Sequence, residues 1–229
     1  MLHLVLGNKN YSSWSLRPWL LLKQFGIEFT ESQIPLFTRT SKTRLLEQSS
    51  AGKVPVLKDG NLTVWDSLAI CEYIADLHPD AQCWPADTKT KALARSVSCE
   101  MHSSFMAIRN TLPMNCRKNI VYAPITAELQ VDIERICQIW QECLSKSNGP
   151  FLFGEFSIAD AMYAPIVLRF KSYNIKVGES ESNYMRTILA LKSLQEWISV
   201  GLDEKEVIIE AEVNCPQNKN VVTTERQSD

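Results

Sequence analysis

Residues 52–67, Gly-Lys-Val-Pro-Val-Leu-Lys-Asp-Gly-Asn-Leu-Thr-Val-Trp-Asp-Ser, constrain the fold of this chain more than any other stretch. Two short apolar runs, 53–57 and 62–65, flank Lys58-Asp59-Gly60-Asn61, and an Asp-Gly pair between such runs signals a β-hairpin. Pro55 heads the first run, where a proline breaks no ladder and where a cis bond is cheap. Asp66-Ser67 precede Leu68, Ile70, Cys71, Ile74, Ala75 and Leu77, an apolar pattern of helical spacing. The pair therefore falls at a helix cap beside the positive end of the helix dipole, a place that can hold a carboxylate.

The elements around this hairpin follow from the same reading. Residues 2–6 form an apolar run suited to a buried strand and ended by Gly7. Residues 11–22 read as a loop feeding a helix that starts between 14 and 17, because Pro18 is tolerated in a first turn; Gly26 ends it. A second strand is expected within 28–36 and a short helix at 43–48. The order strand, helix, strand, helix, hairpin, helix predicts a thioredoxin-like α/β unit with a mixed four-stranded sheet.

From His78 the pattern changes. Residues 79–87 carry two prolines and no period, which marks a linker. Helices are then expected over 88–112, ended by Pro113; over 126–147, with Leu129, Ile133, Ile136, Trp140 and Leu144 on one stripe; and over 157–173, with further short ones at 184–190 and 193–200. Ser157 and Asp160 have the spacing of a capping box, and Pro165 is expected to bend its helix. The expected organisation is a thioredoxin-like domain at 1–80, an all-helical domain at 88–210 and a polar tail at 211–229, aperiodic from Asn214 and either disordered or loosely bound.

A formal net charge of −2 and a pI near 6.0 give no electrostatic case for binding nucleic acid or an anionic membrane. The seven cysteines show no Cys-x-x-Cys and no metal-ligand spacing with the three histidines, which suits reduced thiols in the cytoplasm. The first residues lack the basic region and length of a signal peptide, and no run approaches membrane-spanning length. Ser12, Ser13 and Ser15 cluster where the first helix starts, so a hydroxyl there either caps the helix or donates to an anion such as a thiolate. In the helical half, Met101, Phe105 and Ile108 share one face and read as core packing. Arg109 fits a core badly and suits a cleft, where it would pair an acidic group.

The order Val-Pro-Val-Leu, acidic turn, Asp-Ser and helix resembles the glutathione-binding half of the cytosolic glutathione transferases. The run Tyr-Ser-Ser-Trp-Ser-Leu-Arg-Pro-Trp at 11–19, with Met-His-Ser, Ala-Ile-Arg and Pro-Met-Asn runs further on, is similar to a bacterial serine-type subgroup with a zeta- and theta-like N-terminal motif. The segment 156–160 resembles the capping motif of the family's second domain. The resemblance covers about residues 1–210 and implies glutathione as co-substrate. Val54, before Pro55, would pair its backbone with the cysteinyl part, and Asp66 and Ser67 would hold the γ-glutamyl end. Lys53 and the segment 40–42 would face the glycine carboxylate. Ser13 or Ser12, with Tyr11 third, would activate the thiol, and Arg17 follows them as in the family. Trp14, Phe105 and Arg109 are candidates for contact with a small electrophile.

No cysteine precedes Cys71, so the cysteine-dependent branches have no nucleophile in the matching place. The resemblance implies conjugation of glutathione to a hydrophobic or carboxylate-bearing electrophile, a detoxification chemistry, in a cytoplasmic homodimer. The alternatives are a glutathione-dependent cis-trans isomerase of the maleylacetoacetate isomerase type and a non-catalytic interaction module.

Overall fold

The computed structural model describes residues 1–213, so the tail expected from Asn214 lies outside the described residues. A four-stranded mixed sheet in the order β2-β1-β3-β4 is built from β1 (Leu2–Leu6), β2 (Phe29–Gln33), β3 (Val56–Asp59) and β4 (Leu62–Trp65). β1 pairs in parallel with β2, Leu2 opposite Phe29, and antiparallel with β3, Leu4 opposite Leu57. The expected hairpin is present, with Val56 opposite Trp65 and Asp59 opposite Leu62. β1 is buried along most of its length and central, whereas β2, Phe-Thr-Glu-Ser-Gln, is polar and occupies an edge.

The helices of this half are α1 (Ser13–Gln24), α2 (Ser41–Gln48) and α3 (Ser67–Leu77). α1 starts at Ser13, earlier than expected, because Ser12 accepts a hydrogen bond from the Ser15 amide at 3.3 Å and fixes the helix start. Pro18 consequently lies in the second turn, where its missing N–H leaves the Trp14 carbonyl without a helical donor.

A 3-10 turn at Pro79–Ala81 leads into α4 (Thr88–Ser103), α5 (Met106–Thr111), α6 (Ala127–Leu144), α7 (Ile158–Ser172), α8 (Glu179–Leu189) and α9 (Lys192–Asp203). The single helix expected over 88–112 is two. It breaks at Ser104 and Phe105, the latter at φ 64°, and neither residue is a sequence breaker. α7 is apolar almost all round and runs through the centre, against α1 on one side and α4 on the other. Its start carries the expected capping box, with the Ser157 amide donating to Asp160 Oδ2 at 2.9 Å. Among the described residues no helix is long and apolar enough to cross a membrane.

Candidate active site

The hairpin delivers the floor of a cleft between the sheet and the helical half. The Val54–Pro55 bond is cis, and Val54 precedes the ladder, so the sheet does not consume its backbone groups. Asp66 caps α3 in the role its position predicted, accepting from the Leu68 amide at 2.9 Å and the Ala69 amide at 3.2 Å through one oxygen. It does so at φ 77° and ψ 133°, outside the left-handed helical region and sparsely populated for any residue with a side chain. Its other oxygen receives His102 Nε2 of α4 at 3.0 Å, a contact that joins the two halves. Burial, with Arg17 and Arg109 nearby, lowers the His102 pKa against the pull of Asp66, so the ring is a neutral donor at neutral pH.

Two cavities open along this floor and share Trp14, Lys53 and Val54 in their walls. The one of about 630 Å³ contains Pro55, Asp66, Ser67 and His102. The other, about 600 Å³, contains Tyr11, Ser12, Ser13, Leu36 and Phe37 with Lys42, and is closed on one side by Ile208 and Ala211. Trp14 is the one aromatic residue of the three that they share. The Arg17 and Arg109 guanidiniums lie 4.3 and 4.8 Å from its ring centre, and His102 meets it edge-on.

The three hydroxyls near the start of α1 are chemically distinct. Ser12 is consumed as a cap, donating its own proton to Ser15 Oγ at 2.8 Å. Tyr11 gives its proton to Glu212 at 2.7 Å, and burial together with that bond raises its pKa. Ser13 accepts a hydrogen bond from Arg169 Nη2 at 3.2 Å, while its proton has no acceptor among the described residues. Ser13 is also the first residue of α1, where the helix dipole favours an anion.

Of the predicted contacts, Ser12, Ser13, Trp14, Lys53, Val54, Pro55, Asp66 and Ser67 all border the cleft. Phe105 and Arg109 line neither cavity. Phe105 is buried in the core, and Arg109 turns its guanidinium onto the carbonyls of Met101, His102 and Ser104 at the end of α4. Two features were missed. Arg169 reaches Ser13 from α7, and a charge inside the apolar run Ile-Val-Leu-Arg-Phe was the available signal. The cavity wall formed by 208–211 belongs to a charged stretch with no sequence period.

A thioredoxin-like sheet joined to a helical half, with a cis-proline and a helix-cap carboxylate facing the cleft between them, defines a class of two-part glutathione-binding folds. Residues 11–77 match the family described as glutathione S-transferase, N-terminal domain, and residues 123–198 match glutathione S-transferase, C-terminal domain, together more than half of the chain. The chain belongs to the glutathione S-transferase family, whose members use glutathione as co-substrate. It is 27% identical over 169 residues to a probable maleylacetoacetate isomerase of Caenorhabditis elegans, covering 72% of this chain and 77% of that protein. It is 24% identical over 199 residues to the chloroplastic glutathione S-transferase L2 of Arabidopsis thaliana, covering 84% of this chain but 64% of that one. Among solved structures, a glutathione transferase homolog from Burkholderia with bound glutathione superposes with a TM-score of 0.70 at 23% identity, covering 89% of this chain and 99% of that one.

Proposed function

We propose that this protein adds the thiol of glutathione to a small, largely apolar electrophile. The observation that carries the reading is Ser13: its oxygen is engaged by Arg169, its proton is unclaimed, and it stands at a helix start on a cavity wall. The donor set suits glutathione, which presents two carboxylates, an ammonium and a thiol. Asp66 takes the ammonium and Ser67 the adjoining carboxylate, while the Val54 backbone aligns the cysteinyl peptide. Lys53 and Lys42 face the glycine carboxylate. The Nε of Arg17, buried without a partner, marks a site whose electrostatics call for an anion.

Ser13 donates a hydrogen bond to the sulfur and keeps its proton while the thiol proton leaves to solvent, which favours the thiolate without Ser13 acting as a base. Leu36, Phe37 and Ile208 provide apolar contact for the electrophile. The new carbon–sulfur bond forms at its electron-poor carbon, with departure of a leaving group or uptake of a proton. The same first step serves cis-trans isomerisation, in which the carbon–sulfur bond is later broken again. The likeness to a probable maleylacetoacetate isomerase and the two lysines beside the cavity favour that as the second reading, with a carboxylate-bearing substrate. A cytoplasmic homodimer is the setting that the family supports.

The test is calorimetric titration with glutathione, followed by turnover with aromatic halide and unsaturated dicarboxylate substrates. Ser13→Ala is expected to lower conjugation on the order of a hundredfold with glutathione still bound. Ser12→Ala is expected to cost about 1 kcal/mol of stability through its cap and much less activity. Absence of glutathione binding by the wild type would leave the non-catalytic module as the reading.

A further inference from the structure

Three guanidiniums lie behind the cleft wall, those of Arg17 and Arg109 against the Trp14 ring and that of Arg169 on Ser13, and among the described residues none has a carboxylate within ion-pair distance. Arg17 is 1% exposed and Arg169 6%. Burial, reinforced by the Arg109 charge, pushes Arg17 down to about 9 and Arg169 to about 10, so both remain cationic at neutral pH. Buried charge without a counter-charge is costly, and a protein of net charge −2 has had ample carboxylates with which to neutralise it. Asp66 attracts Arg17, and Asp132 attracts Arg109, only from beyond ion-pair distance, so an anionic ligand at the cleft would add to a compensation that the described residues leave incomplete.

The three are held in different ways. Arg109 is occupied by the carbonyls that end α4. Arg169 gives one N–H to the Leu112 carbonyl, but it shares with Arg17 a further arrangement, in which each gives an N–H to a serine oxygen. Arg17 Nη1 lies 3.3 Å from Ser67 Oγ, and Arg169 Nη2 lies 3.2 Å from Ser13 Oγ. Each serine is the first residue of its helix, α3 and α1 respectively, and each borders a different cavity. A hydroxyl whose oxygen accepts from a guanidinium still has its own proton to donate, and the charge behind it polarises that proton.

We propose that Arg169 and Arg17 are positioning residues that act on glutathione through serines, Arg169 through Ser13 on the thiolate and Arg17 through Ser67 on the glutamyl carboxylate. This rests on the proposed function, and it deepens that function by separating two properties. The Arg169 relay acts on the anion that appears only when the thiol ionises. The Arg17 relay acts on a carboxylate that is charged throughout. One therefore sets the acidity of bound glutathione and the other its affinity.

The experiment uses the full chain and two readouts that a merely structural role would move together. The first is the pKa of bound glutathione, followed by thiolate absorbance. The second is the Kd of S-methylglutathione, which cannot ionise at sulfur. Arg169→Met is expected to lower the thiolate fraction about tenfold at neutral pH and leave the S-methylglutathione Kd within about twofold. Arg17→Met is expected to weaken S-methylglutathione about tenfold and leave the thiol pKa in place. Combined with Ser13→Ala or Ser67→Ala respectively, neither arginine change should add a further effect. Both readouts moving together in each variant, or neither moving, would overturn the proposal. If a methionine variant does not fold, nitrogen-15 spectra of the wild type decide. The Arg169 guanidinium signals should differ between the glutathione thiolate and S-methylglutathione complexes, and Arg17 signals should shift on forming either. Arg169 signals identical in the two complexes would overturn the proposal. A wild type that binds neither ligand would instead sink the proposed function itself.

Discussion

Asp160 is a buried carboxyl that receives the Ser157 amide and hydroxyl on one oxygen and the Leu152 amide and Tyr184 hydroxyl on the other. Burial outweighs these four donors and pushes its pKa up to about 6 from the ordinary 3.8. The native state therefore binds more protons at this site than the unfolded chain does between those values. Stability from Asp160 is fully present below about pH 4 and is lost as pH rises to about 6, on the order of 2–3 kcal/mol. Asp160→Asn cannot titrate, and its NH₂ opposes the Ser157 amide. The variant should be least stable relative to wild type near pH 4, with the gap narrowing toward pH 7, as urea unfolding across that range would show; a constant gap would count against the assignment. The capping pair was legible because Ser157 and Asp160 are close in sequence. Ser13 could not be told from Ser12 on the same basis. The difference between them comes from Arg169, a residue 156 positions away.

Elements were legible where one face is buried and the ends carry caps: the hairpin, α3, α6 and α7 fall close to their predicted bounds. They were not legible where tertiary bonds replace local signals. The break between α4 and α5 is held by Arg109 folding back onto the α4 carbonyls, and no glycine or proline marks it. The segment 204–212 is the larger case. Its Glu204 carboxylate accepts from the Lys9 amide at 2.6 Å and Gln33 at 2.6 Å, and Glu212 accepts from Tyr11, Asn115 and Lys118. Arg117 ties down the middle, giving hydrogen bonds to the carbonyls of Glu204 and Glu206, each at 2.8 Å, and to the Tyr11 hydroxyl at 2.7 Å. A strap held by a few charge-assisted bonds at its margins should open locally, well below the cost of global unfolding. Arg117→Ala is expected to ease that opening by roughly 1–2 kcal/mol. Amide exchange over 205–212 should then quicken about tenfold with the global midpoint nearly unchanged. The wall at Ile208 and Ala211 should also admit bulkier electrophiles. Unchanged exchange in this segment would mean that Glu204 and Glu212 suffice to hold it.

At the scale of the whole molecule the two halves share one core. A continuous cluster includes Leu4, Trp19 and Ile74 of the sheet half with Trp140, Phe170 and Trp197 of the helical half, and a small second cluster of Val5, Ile34, Leu45 and Val56 fills the other face of the sheet. Trp19 and Trp197 meet edge-on at 5.1 Å, both fully buried, with the Lys9 ammonium 4.8 Å from one ring and 5.4 Å from the other. The cleft needs this union, because Asp66 meets His102 and Ser13 meets Arg169 only when the halves are docked. Sequence composition marked a linker at 79–87 between two expected domains, but a linker says nothing of how much apolar area crosses the seam. The contacts predict a single cooperative transition in which glutathione stabilises the entire chain by mass action. Trp197→Ala removes a large ring from the seam and should cost about 3–5 kcal/mol. It should also lower the midpoint of the sheet half and the helical half together, although the substitution lies in α9 alone. Far-ultraviolet dichroism, tryptophan fluorescence and the loss of glutathione binding should then trace one curve in urea. Separation into two transitions, with the sheet half retaining the wild-type midpoint, would show that the seam is an interface between independent domains and that the cleft is assembled by docking after each has folded.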